Sequence, residues 1–372
     1  MTNILFIDHA SVVGGAQLVL MNYLKYLNKN KYKKVLITSG SRVELLKDYK
    51  KYSDSLYILD FPKLKRFSPF VIIDLFKLVL QILIIIYKEK ISLVVTNTER
   101  GMYPGTIASF LTGRKVIWCV RDYCYSRILF SLLKWVPSKI IYVSESLINF
   151  YGVKGDKNIV VHVSSDMYLR LRKVSSRDIQ RFKNDYGLKG KFVIGFIGRL
   201  ARWKGIDILV KSILDLKKRN IVCLIAGVFD DKEEEFLKEI ANILKYSEKG
   251  RIIFLGYRKD VALILKCLDL FVHPAREPEP YATSIIEALM TRLPVVATDL
   301  GGTSEIIFGK KTGISIDSES SKELTKVLKE VIRSKRLREK VSLAGYDMVM
   351  KENLIQMEIN KLETLFEEVL GR

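Results

Sequence analysis

Short runs of apolar, β-branched residues alternate along the chain with longer stretches of helical periodicity. This pattern predicts strands separated by helices, and therefore βαβ units with parallel sheets. The strand-like runs form two series, which predict two doubly wound, Rossmann-like α/β domains. The first series holds Ile4–Ile7, Val35–Thr38, Leu56–Leu59, Leu93–Thr96, Val116–Val120, Ile140–Val143 and Ile159–Val161, and the second holds Phe192–Ile197, Val222–Ala226, Ile252–Leu255, Leu270–His273, Pro294–Ala297 and Gly313–Ile316.

A charged stretch with helical character, Ser175 to Tyr186, separates the two series. We therefore predict one domain over residues 1–175 and a second over residues 176–352. The last 39 residues, 334–372, carry apolar residues at spacings of three and four in two successive runs. This periodicity predicts two helices, each with one apolar face.

The segment from Phe67 to Tyr87 is the most apolar part of the chain. Asp74, Lys77 and Gln81 interrupt it, so it lacks the clean span of about 20 apolar residues that a transmembrane helix needs. Two alternatives fit better: a helix packed in the core of an α/β domain, or a helix that lies partly in a membrane interface.

Charge is distributed unevenly between the two halves of this 372-residue chain. Residues 1–190 hold 31 Lys and Arg against 14 Asp and Glu, whereas the remaining residues hold 31 against 27. A one-sided basic field favours an anionic partner, such as a membrane surface or an acidic small molecule. The alternative is a surface that is merely solvated by lysine. Nucleic acid is disfavoured because the basic residues form no binding motif with interleaved aromatic residues.

The cysteines and histidines exclude other classes of protein. The four cysteines contain no C-x-x-C pair, which is typical of reduced thiols in a cytosolic protein. With only three histidines and no Cys/His cluster, a structural zinc site is disfavoured. The first ten residues have no basic region before their apolar run, so we expect no secretory signal and a cytoplasmic location.

Each series opens with a glycine-bearing turn after its first strand, at Gly14–Gly15 and at Gly198–Gly205. Ligands of open α/β sheets bind beyond the carboxyl ends of the strands, where such turns lie. Neither turn contains a G-x-G-x-x-G or Walker A motif, which disfavours a nicotinamide enzyme or a P-loop ATPase. Arg199 and Lys204 in the second turn supply a planar fork and a point charge suited to a diphosphate.

Two carboxylates, Glu279 and Glu287, lie eight residues apart in a proline-bounded loop and the helix predicted to follow it. Carboxylates accept hydrogen bonds from sugar hydroxyls, while a helix N-terminus attracts phosphate. The next strand ends in a second glycine turn, Gly301–Thr303, that is another candidate anion cradle. The sequence therefore predicts that these elements converge with Arg199 and Lys204 in one crevice at the strand ends.

These segments closely resemble the family 4 (group 1) retaining glycosyltransferases, whose GT-B fold has two Rossmann-like domains facing across a cleft. The resemblance covers roughly residues 190–317 in order and spacing, and it is looser in the N-terminal half. The matching motifs are G-R-L-x-x-x-K-G at Gly198–Gly205, L-G-Y-R-x-D-V at Leu255–Val261, H-P-A at His273–Ala275, E-P-Y-A-x-x-x-x-E-A at Glu279–Ala288 and P-V-V-A-T-D-L-G-G-T-S-E at Pro294–Glu305, with Gly14–Gln17, Thr96–Asn97 and Val143–Glu145 in the N-terminal half.

The resemblance implies a role for each of these residues. Arg199 and Lys204 would hold the donor diphosphate, Glu279 would contact the transferred sugar, and Glu287 would bind the nucleotide ribose. The first domain would bind the acceptor, and a terminal helix over about residues 353–372 would cross back to it. The further residues expected to bind the donor are Gly14, Gly15, Gly198, Tyr281, Ala282, Thr283, Gly301, Gly302 and Thr303.

One expected catalytic histidine is absent from this sequence. Many members of the family have a histidine after the strand that here reads Val116–Val120; Arg121 takes its place, with Cys119 as the alternative equivalent. The catalytic residues implied are then Arg121, Arg199, Lys204 and Glu279. The anomeric configuration would be kept, with a β-phosphate oxygen of the donor accepting the acceptor's proton. No metal and no other cofactor are expected.

The resulting hypothesis is transfer of a sugar from a nucleotide diphosphate sugar to a hydroxyl acceptor. Together with the basic N-terminal half, it suggests an anionic, lipid-linked saccharide acceptor in the synthesis of a capsule, O-antigen or exopolysaccharide. The protein would then act at the inner face of the cytoplasmic membrane. Two alternatives stay open: a soluble acceptor such as a sugar phosphate, or a catalytically silent subunit that binds a nucleotide sugar.

Overall fold

The computed structural model describes residues 1–9, 14–40, 43–62, 69–217, 220–229, 233–245, 250–307, 311–317 and 319–372. These residues form two compact units. The first unit consists of Met1–Ser164 together with Ile355–Arg372, and the second consists of Ser165–Leu354. The chain therefore enters the second unit once and returns to the first unit at its C-terminus.

The first unit is built on a parallel sheet with the strand order β3-β2-β1-β4-β5-β6-β7. The order along the chain reverses between β1 and β4, which is the point where ligands of open α/β sheets bind. Each strand overlaps a run that the apolar pattern predicts, and the strands are β1 Thr2–Asp8, β2 Tyr32–Thr38, β3 Ser55–Ile58, β4 Leu93–Thr96, β5 Lys115–Val120, β6 Lys139–Tyr142 and β7 Asn158–Val160.

Helices connect these strands and cover the sheet; they are α1 Gly15–Tyr26, α2 Val43–Tyr52, α3 Pro69–Lys88, α4 Glu99–Leu111, α5 Arg127–Leu133 and α6 Glu145–Tyr151. Two glycines bring α4 close to β1. A Cβ atom at Gly101 would lie 2.7 Å from Ile7 Cγ2, and one at Gly105 would lie 2.8 Å from Ile7 Cδ1. The isoleucine side chain thus fills the space that the glycines leave.

The second unit has its own parallel sheet, with the strand order β10-β9-β8-β11-β12-β13. Here too the chain order reverses at the centre, between β8 and β11, and the central strands are buried. Every predicted run of the second series overlaps one of the observed strands, which are β8 Phe192–Ile197, β9 Ile221–Ala226, β10 Ile252–Gly256, β11 Leu270–His273, β12 Val295–Thr298 and β13 Ile314–Ile316.

The helices of the second unit follow the predicted alternation with the strands. Ser175 caps α8 by accepting a hydrogen bond from the Asp178 amide, so the charged stretch before the second series is a helix as predicted. The helices are α7 Met167–Leu171, α8 Ser176–Asp185, α9 Ile206–Asp215, α10 Glu234–Leu244, α11 Val261–Lys266, α12 Thr283–Met290, α13 Gly302–Ile307, α14 Ser321–Arg333 and α15 Lys335–Glu352.

The terminal helix, α16 Ile355–Leu370, belongs to the first unit. Its Phe366 packs edge-on against Tyr32 with ring centroids 5.9 Å apart, and Glu358 accepts a hydrogen bond from the Tyr23 hydroxyl. The predicted return of this helix is therefore confirmed. With the two parallel sheets, it confirms the predicted fold class of two Rossmann-like domains.

Helix α3 covers most of the apolar segment and fits both predicted alternatives in part. One face, which includes Leu78, Ile82 and Ile86, is buried, and the helix lies against α4. The opposite face exposes apolar side chains to solvent, namely Ile72, Ile73, Phe76, Leu80, Ile84 and Tyr87. Among the described residues, no helix is both long and apolar enough to cross a membrane.

The close approach of α4 to β1 can be tested with a double-mutant cycle at Gly105 and Ile7. We expect Gly105→Ala to destabilise the protein by about 1–3 kcal/mol, because the new methyl group overpacks the contact with Ile7 Cδ1. Ile7→Val removes that atom, so the double variant should be more stable than the sum of the single changes. Urea denaturation measures the coupling, and additive free energies of unfolding would contradict this packing.

Candidate active site

Lys204 is held at the carboxyl edge of the second sheet by a tight turn between β8 and α9. Residues Arg202–Lys204 form one turn of 3-10 helix, and Gly205 follows in the left-handed region with φ of 69°. A Cβ atom at Gly205 would lie only 1.9 Å from the carbonyl oxygen of Pro274. Glycine is therefore required here, since its missing side chain lets the turn lie against the segment that follows β11.

Glu279 receives the ammonium group of Lys204 and the imidazole of His273. Lys204 Nζ donates to Glu279 Oε2 at 2.6 Å, and His273 Nε2 hydrogen-bonds with Oε1. The exposed fractions are 5% for Glu279 and 9% for Lys204. Burial alone would raise the pKa of Glu279, but His273 and Lys204 outweigh it and lower the pKa to about 2. The carboxylate is therefore ionised and paired, as a buried charge must be.

The loop that carries Glu279 is fixed at both ends. At its start, the Arg276 amide donates to the Trp203 carbonyl at 2.7 Å, and the Arg276 guanidinium donates to Asp207 Oδ2 at 2.6 Å. At its end, the Glu279 carbonyl accepts from the Gly302 amide at 2.7 Å. The structure thus brings together the Lys204 turn, the Glu279 loop and the Gly301–Thr303 turn, as the sequence predicts.

Two of the three amides of the Gly301–Thr303 turn have partners within the protein. The Gly302 amide donates to Glu279, and the Thr303 amide donates to the Leu300 carbonyl at 3.2 Å. Gly301 itself has φ of 61° and forms a β-bridge with Glu279. The turn therefore positions the Glu279 loop, while its role as a phosphate cradle stays a prediction.

Glu287 has different partners from Glu279. It lies in α12, where Oε1 accepts from Ser165 Oγ at 3.2 Å and lies 3.7 Å from Arg170 Nη1. Burial raises the pKa of Glu287, although the Arg170 charge acts in the opposite direction. The two carboxylates thus occupy separate environments, one between Lys204 and His273 and the other between Ser165 and Arg170.

The remaining predicted donor residues of the second unit are close in sequence to Glu279 or to Lys204. Tyr281 is buried and its hydroxyl accepts from Asn353 Nδ2 at 3.3 Å. Ala282 is the N-cap of α12, and Thr283 is the first residue of that helix. Gly198 and the half-buried Arg199 follow directly after β8.

The predicted residues of the first unit lie at the carboxyl edge of its sheet. Gly14 and Gly15 begin α1, and the Gly14 amide donates to Gln17 Oε1 at 3.1 Å; residues 10–13 of this turn are outside the described residues. Arg121 follows β5 and is 8% exposed. Cys119 lies within β5, where burial raises the pKa of its thiol. Both candidates for the histidine position therefore lie within or directly after β5, and the choice between them stays a prediction.

Some residues of the site are missed by the sequence reasoning. The sequence assigns His273 no role beyond its place in the H-P-A motif, although a histidine at the end of a strand is a usable signal. Asp207 and Arg276 hold the two loops together, but they lie 69 residues apart and no local pattern links them. In the first unit, Glu358 lies in no motif, and Asn97 is named only as part of the Thr96–Asn97 match.

Comparison with known proteins identifies the family. Residues 178–348 match the family model of the glycosyl transferases group 1. Over this region the chain is similar to the group 1 glycosyl transferases. The matched region contains every motif on which the resemblance of the second domain rests, so the predicted family is confirmed.

Two relatives are similar to the chain in sequence, and a solved structure is similar to it in fold. The chain is 25% identical over 313 residues to the capsular polysaccharide biosynthesis glycosyltransferase CapM of Staphylococcus aureus, covering 79% of this chain and 81% of that protein. It is 24% identical over 231 residues to the N,N'-diacetylbacillosaminyl-diphospho-undecaprenol alpha-1,3-N-acetylgalactosaminyltransferase of Campylobacter jejuni, covering 60% and 59%. The crystal structure of Anabaena Alr3699/HepE in complex with UDP and glucose superposes with a TM-score of 0.85 at 21% identity, covering 99% and 100%.

The buried Glu279 carboxylate predicts a specific dependence of stability on pH. Its pKa falls from 4.5 to about 2 on folding, so it stabilises the protein above about pH 4.5 and loses this effect as pH falls towards 2. Glu279→Gln should therefore be less stable than the wild type by about 3 kcal/mol at pH 7 and by clearly less at pH 3. Urea denaturation at both pH values tests this.

The neighbouring Glu277 provides the matched control, since it is exposed in the same loop. Glu277→Gln should leave the free energy of unfolding within about 0.5 kcal/mol of the wild type. An equal loss for Glu279→Gln at pH 7 and pH 3 would show that the ion pairing does not stabilise the loop.

Proposed function

We propose that this protein transfers a sugar from a nucleotide diphosphate sugar to a hydroxyl acceptor and retains the anomeric configuration. The observation that carries the proposal is the buried Lys204–Glu279 pair at the carboxyl edge of the second sheet, held there by the Gly301 bridge. One hydrogen bond links the two groups that the reaction would need: a cation that can bind phosphate and a carboxylate that can bind hydroxyl groups.

Cleavage of the bond between sugar and diphosphate develops negative charge on the leaving phosphate. An ammonium group has three donors, and the structure gives one of them to Glu279, which leaves Lys204 able to donate to a phosphate oxygen as well. Arg199, from the same turn, adds a second cation. Donors that are already oriented stabilise such charge without reorganisation, so the proposal needs no divalent metal.

Glu279 would orient the transferred sugar. Its ionised carboxylate only accepts hydrogen bonds, and sugar hydroxyls are donors of the matching kind. His273 Nε2 and Lys204 fix the direction of the carboxylate before any substrate binds. Glu287, with its separate partners, would bind the ribose. The donor's β-phosphate oxygen would take the proton of the acceptor hydroxyl.

The names of related proteins support both substrates. Solved structures with the same fold hold UDP or UDP-glucose, which supports a nucleotide-sugar donor. The relative from C. jejuni acts on a diphospho-undecaprenol saccharide by its name, and CapM is a capsule enzyme. We therefore propose a lipid-linked acceptor in the synthesis of a cell-surface polysaccharide.

The cations of the Lys204 turn can be tested by turnover. Arg199→Ala and Lys204→Ala should each lower the release of nucleoside diphosphate about 100-fold or more, because the charge on the leaving group loses a fixed donor. UDP- and GDP-sugars, with a membrane lipid extract as acceptor, provide the assay. Lys238→Ala, at an exposed lysine of α10, is the matched control and should keep the wild-type rate.

Circular dichroism and thermal melting must show that Arg199→Ala and Lys204→Ala are folded. Near-wild-type turnover in folded Lys204→Ala would contradict the proposed site. Binding of the nucleotide sugar without any turnover by the wild type would instead identify a catalytically silent subunit.

A lipid-linked acceptor requires contact with a membrane, and the first unit has a suitable surface. The exposed face of α3 includes Phe76 and Ile84, which are 63% and 64% exposed. Helix α4 contacts both α3 and α5, and α5 with its following turn exposes further large apolar side chains. We call these residues the apolar surface; it consists of Ile72, Ile73, Phe76, Leu80, Ile84, Tyr87, Phe110, Leu111, Ile128, Leu132 and Trp135.

Basic residues accompany the apolar surface. Lys134 lies 5.3 Å from the ring centroid of Trp135, and Arg127 lies 4.4 Å from that of Phe150. Lys77 is exposed on α3 itself. Long basic side chains beside exposed aromatic and aliphatic groups suit the boundary between lipid headgroups and acyl chains. We therefore propose peripheral binding to an anionic membrane, consistent with the excess of positive charge in residues 1–190.

Vesicle flotation tests the membrane proposal. The wild type should float with phosphatidylglycerol-containing vesicles at low salt and dissociate partly at high salt, since each nearby basic residue contributes about 1 kcal/mol. Phe76→Ser combined with Ile84→Ser should weaken binding about tenfold or more, because two large apolar groups no longer enter the bilayer. Leu343→Ser, at an exposed leucine of the second unit, should change nothing. Equal loss in both variants would contradict the assigned surface.

A further inference from the structure

Groups other than carboxylates hold the Arg121 guanidinium: among the described residues, no carboxylate is hydrogen-bonded to it. Nε donates to Asn97 Oδ1 at 2.7 Å, and the guanidinium carbon lies 5.2 Å from the ring centroid of Tyr23. Nη2 is buried and has no hydrogen-bond partner among the described residues. A buried cationic donor without a partner is costly, so this position is suited to receive an anionic ligand.

Asn97 is itself oriented by the carboxyl edge of the sheet. Its Nδ2 donates to Asp8 Oδ1 at 3.0 Å and to the Ala16 carbonyl at 3.1 Å. Asp8 is fully buried and also accepts from Tyr49 and Gln17. The Asn97 carbonyl oxygen is therefore turned towards Arg121, and the guanidinium has one fixed anchor.

Tyr23 connects Arg121 to the terminal helix. Its hydroxyl donates to Glu358 Oε1 at 2.7 Å, and Glu358 Oε2 accepts from the Ser164 amide at 2.8 Å. Tyr23 and Glu358 are both almost fully buried. Burial raises the pKa of Tyr23, so its hydroxyl stays protonated and remains a donor. The ring of Tyr23 thus lies beside the Arg121 cation, while its hydroxyl donates to the Glu358 carboxyl group.

We infer that Arg121 binds an anionic phosphate group at the carboxyl edge of the first sheet, and that Glu358, acting through Tyr23, is the positioning residue whose ionisation controls this binding. The inference rests on the proposed function, because either the donor diphosphate or the phosphate of an anionic acceptor supplies such a group. It extends that function by assigning two residues of the first unit, Tyr23 and Glu358, that no motif contains.

The charges of Arg121 and Glu358 determine how anion binding should depend on pH. Among the described residues, the titratable or charged groups that face Glu358 are Tyr23 from α1, Cys119 from β5 and Arg121 directly after β5, together with the Ser164 amide. Burial raises the pKa of Glu358 to about 7, although the Tyr23 hydrogen bond and the Arg121 charge act in the opposite direction. An ionised Glu358 compensates the charge of Arg121 and opposes an incoming anion. When an anion binds, Glu358 takes up a proton from solvent, and the buried cluster keeps its charge balance.

Calorimetric titration of the full chain with sodium sulfate tests the inference, since sulfate does not titrate between pH 6 and pH 8. The wild type should bind sulfate several-fold more tightly at pH 6 than at pH 8. Titrations in two buffers with different ionisation enthalpies should show proton uptake near pH 7.5. Arg121→Gln should weaken binding about tenfold, through the loss of a charge-assisted hydrogen bond.

The positioning residues have their own readouts. Glu358→Gln should bind sulfate at pH 8 as tightly as the wild type does at pH 6, with no proton uptake. Tyr23→Phe should shift the pH dependence, since Glu358 loses a donor that favours its ionised form. A purely structural role would change the melting temperature and leave both readouts as in the wild type, which would overturn the inference for these two residues.

Two other residues at the contacts of α16 provide matched controls. Glu363→Gln changes a carboxylate of α16 that accepts from the exposed Asn28 amide, and Tyr32→Phe changes a tyrosine that packs against α16 through Phe366. Both should behave as the wild type in every titration. Sodium chloride at matched ionic strength corrects for screening.

Two further titrations identify the source of the phosphate. If the ligand is the donor diphosphate, Arg121→Gln should weaken binding of UDP. If it is the acceptor phosphate, Arg121→Gln should weaken binding of sulfate to the UDP-saturated protein. Unchanged affinity in both, and for sulfate alone, would overturn the inference. Failure of the wild type to bind UDP or any nucleotide sugar would count against the proposed function only, because sulfate binding at Arg121 is measured without nucleotide.

Discussion

The second unit depends on the neutralisation of one buried carboxylate. Glu279 is 5% exposed, and its charge is tolerable only because Lys204 and His273 both reach it. These partners come from two different strand ends, and the bridge to Gly301 adds a third. One electrostatic requirement therefore fixes the relative positions of three loops. An ammonium group has three donors, so in the proposed function the same Lys204 that stabilises the loops would also donate to a phosphate oxygen.

The first unit also contains a buried charge, which is positive instead of negative. Here the buried cation is Arg121, and the groups around it are an amide, a phenol ring and, through Tyr23, the carboxyl group of Glu358. The pairing is looser than that of Lys204 and Glu279, because no carboxylate oxygen is hydrogen-bonded to the guanidinium among the described residues. This looser pairing is the reason for our proposal that Arg121 receives an anionic ligand.

The strands were predictable because each is a short apolar run that parallel sheets bury on both faces. The runs Phe192–Ile197 and Val222–Ala226 differ from the observed strands by at most one residue at either end. The helical return of the chain could be predicted from the periodicity of Ile355, Ile359 and Leu362 together with the family resemblance. The two faces of α3 could not be predicted, because apolar residues lie on both. Only the packing against α4 shows which face is buried and which is exposed.

By itself the sequence determined the elements, their alternation and the motif residues at the strand ends, since these follow from local periodicity and from residue types that suit phosphate and sugar. Tertiary structure decided the pairings: Lys204 with Glu279 across 75 residues, and Tyr23 with Glu358 across 335 residues. The physical reason is that a buried charge must find its partner in space, and the strength of that requirement depends on burial, which no local pattern of residues encodes.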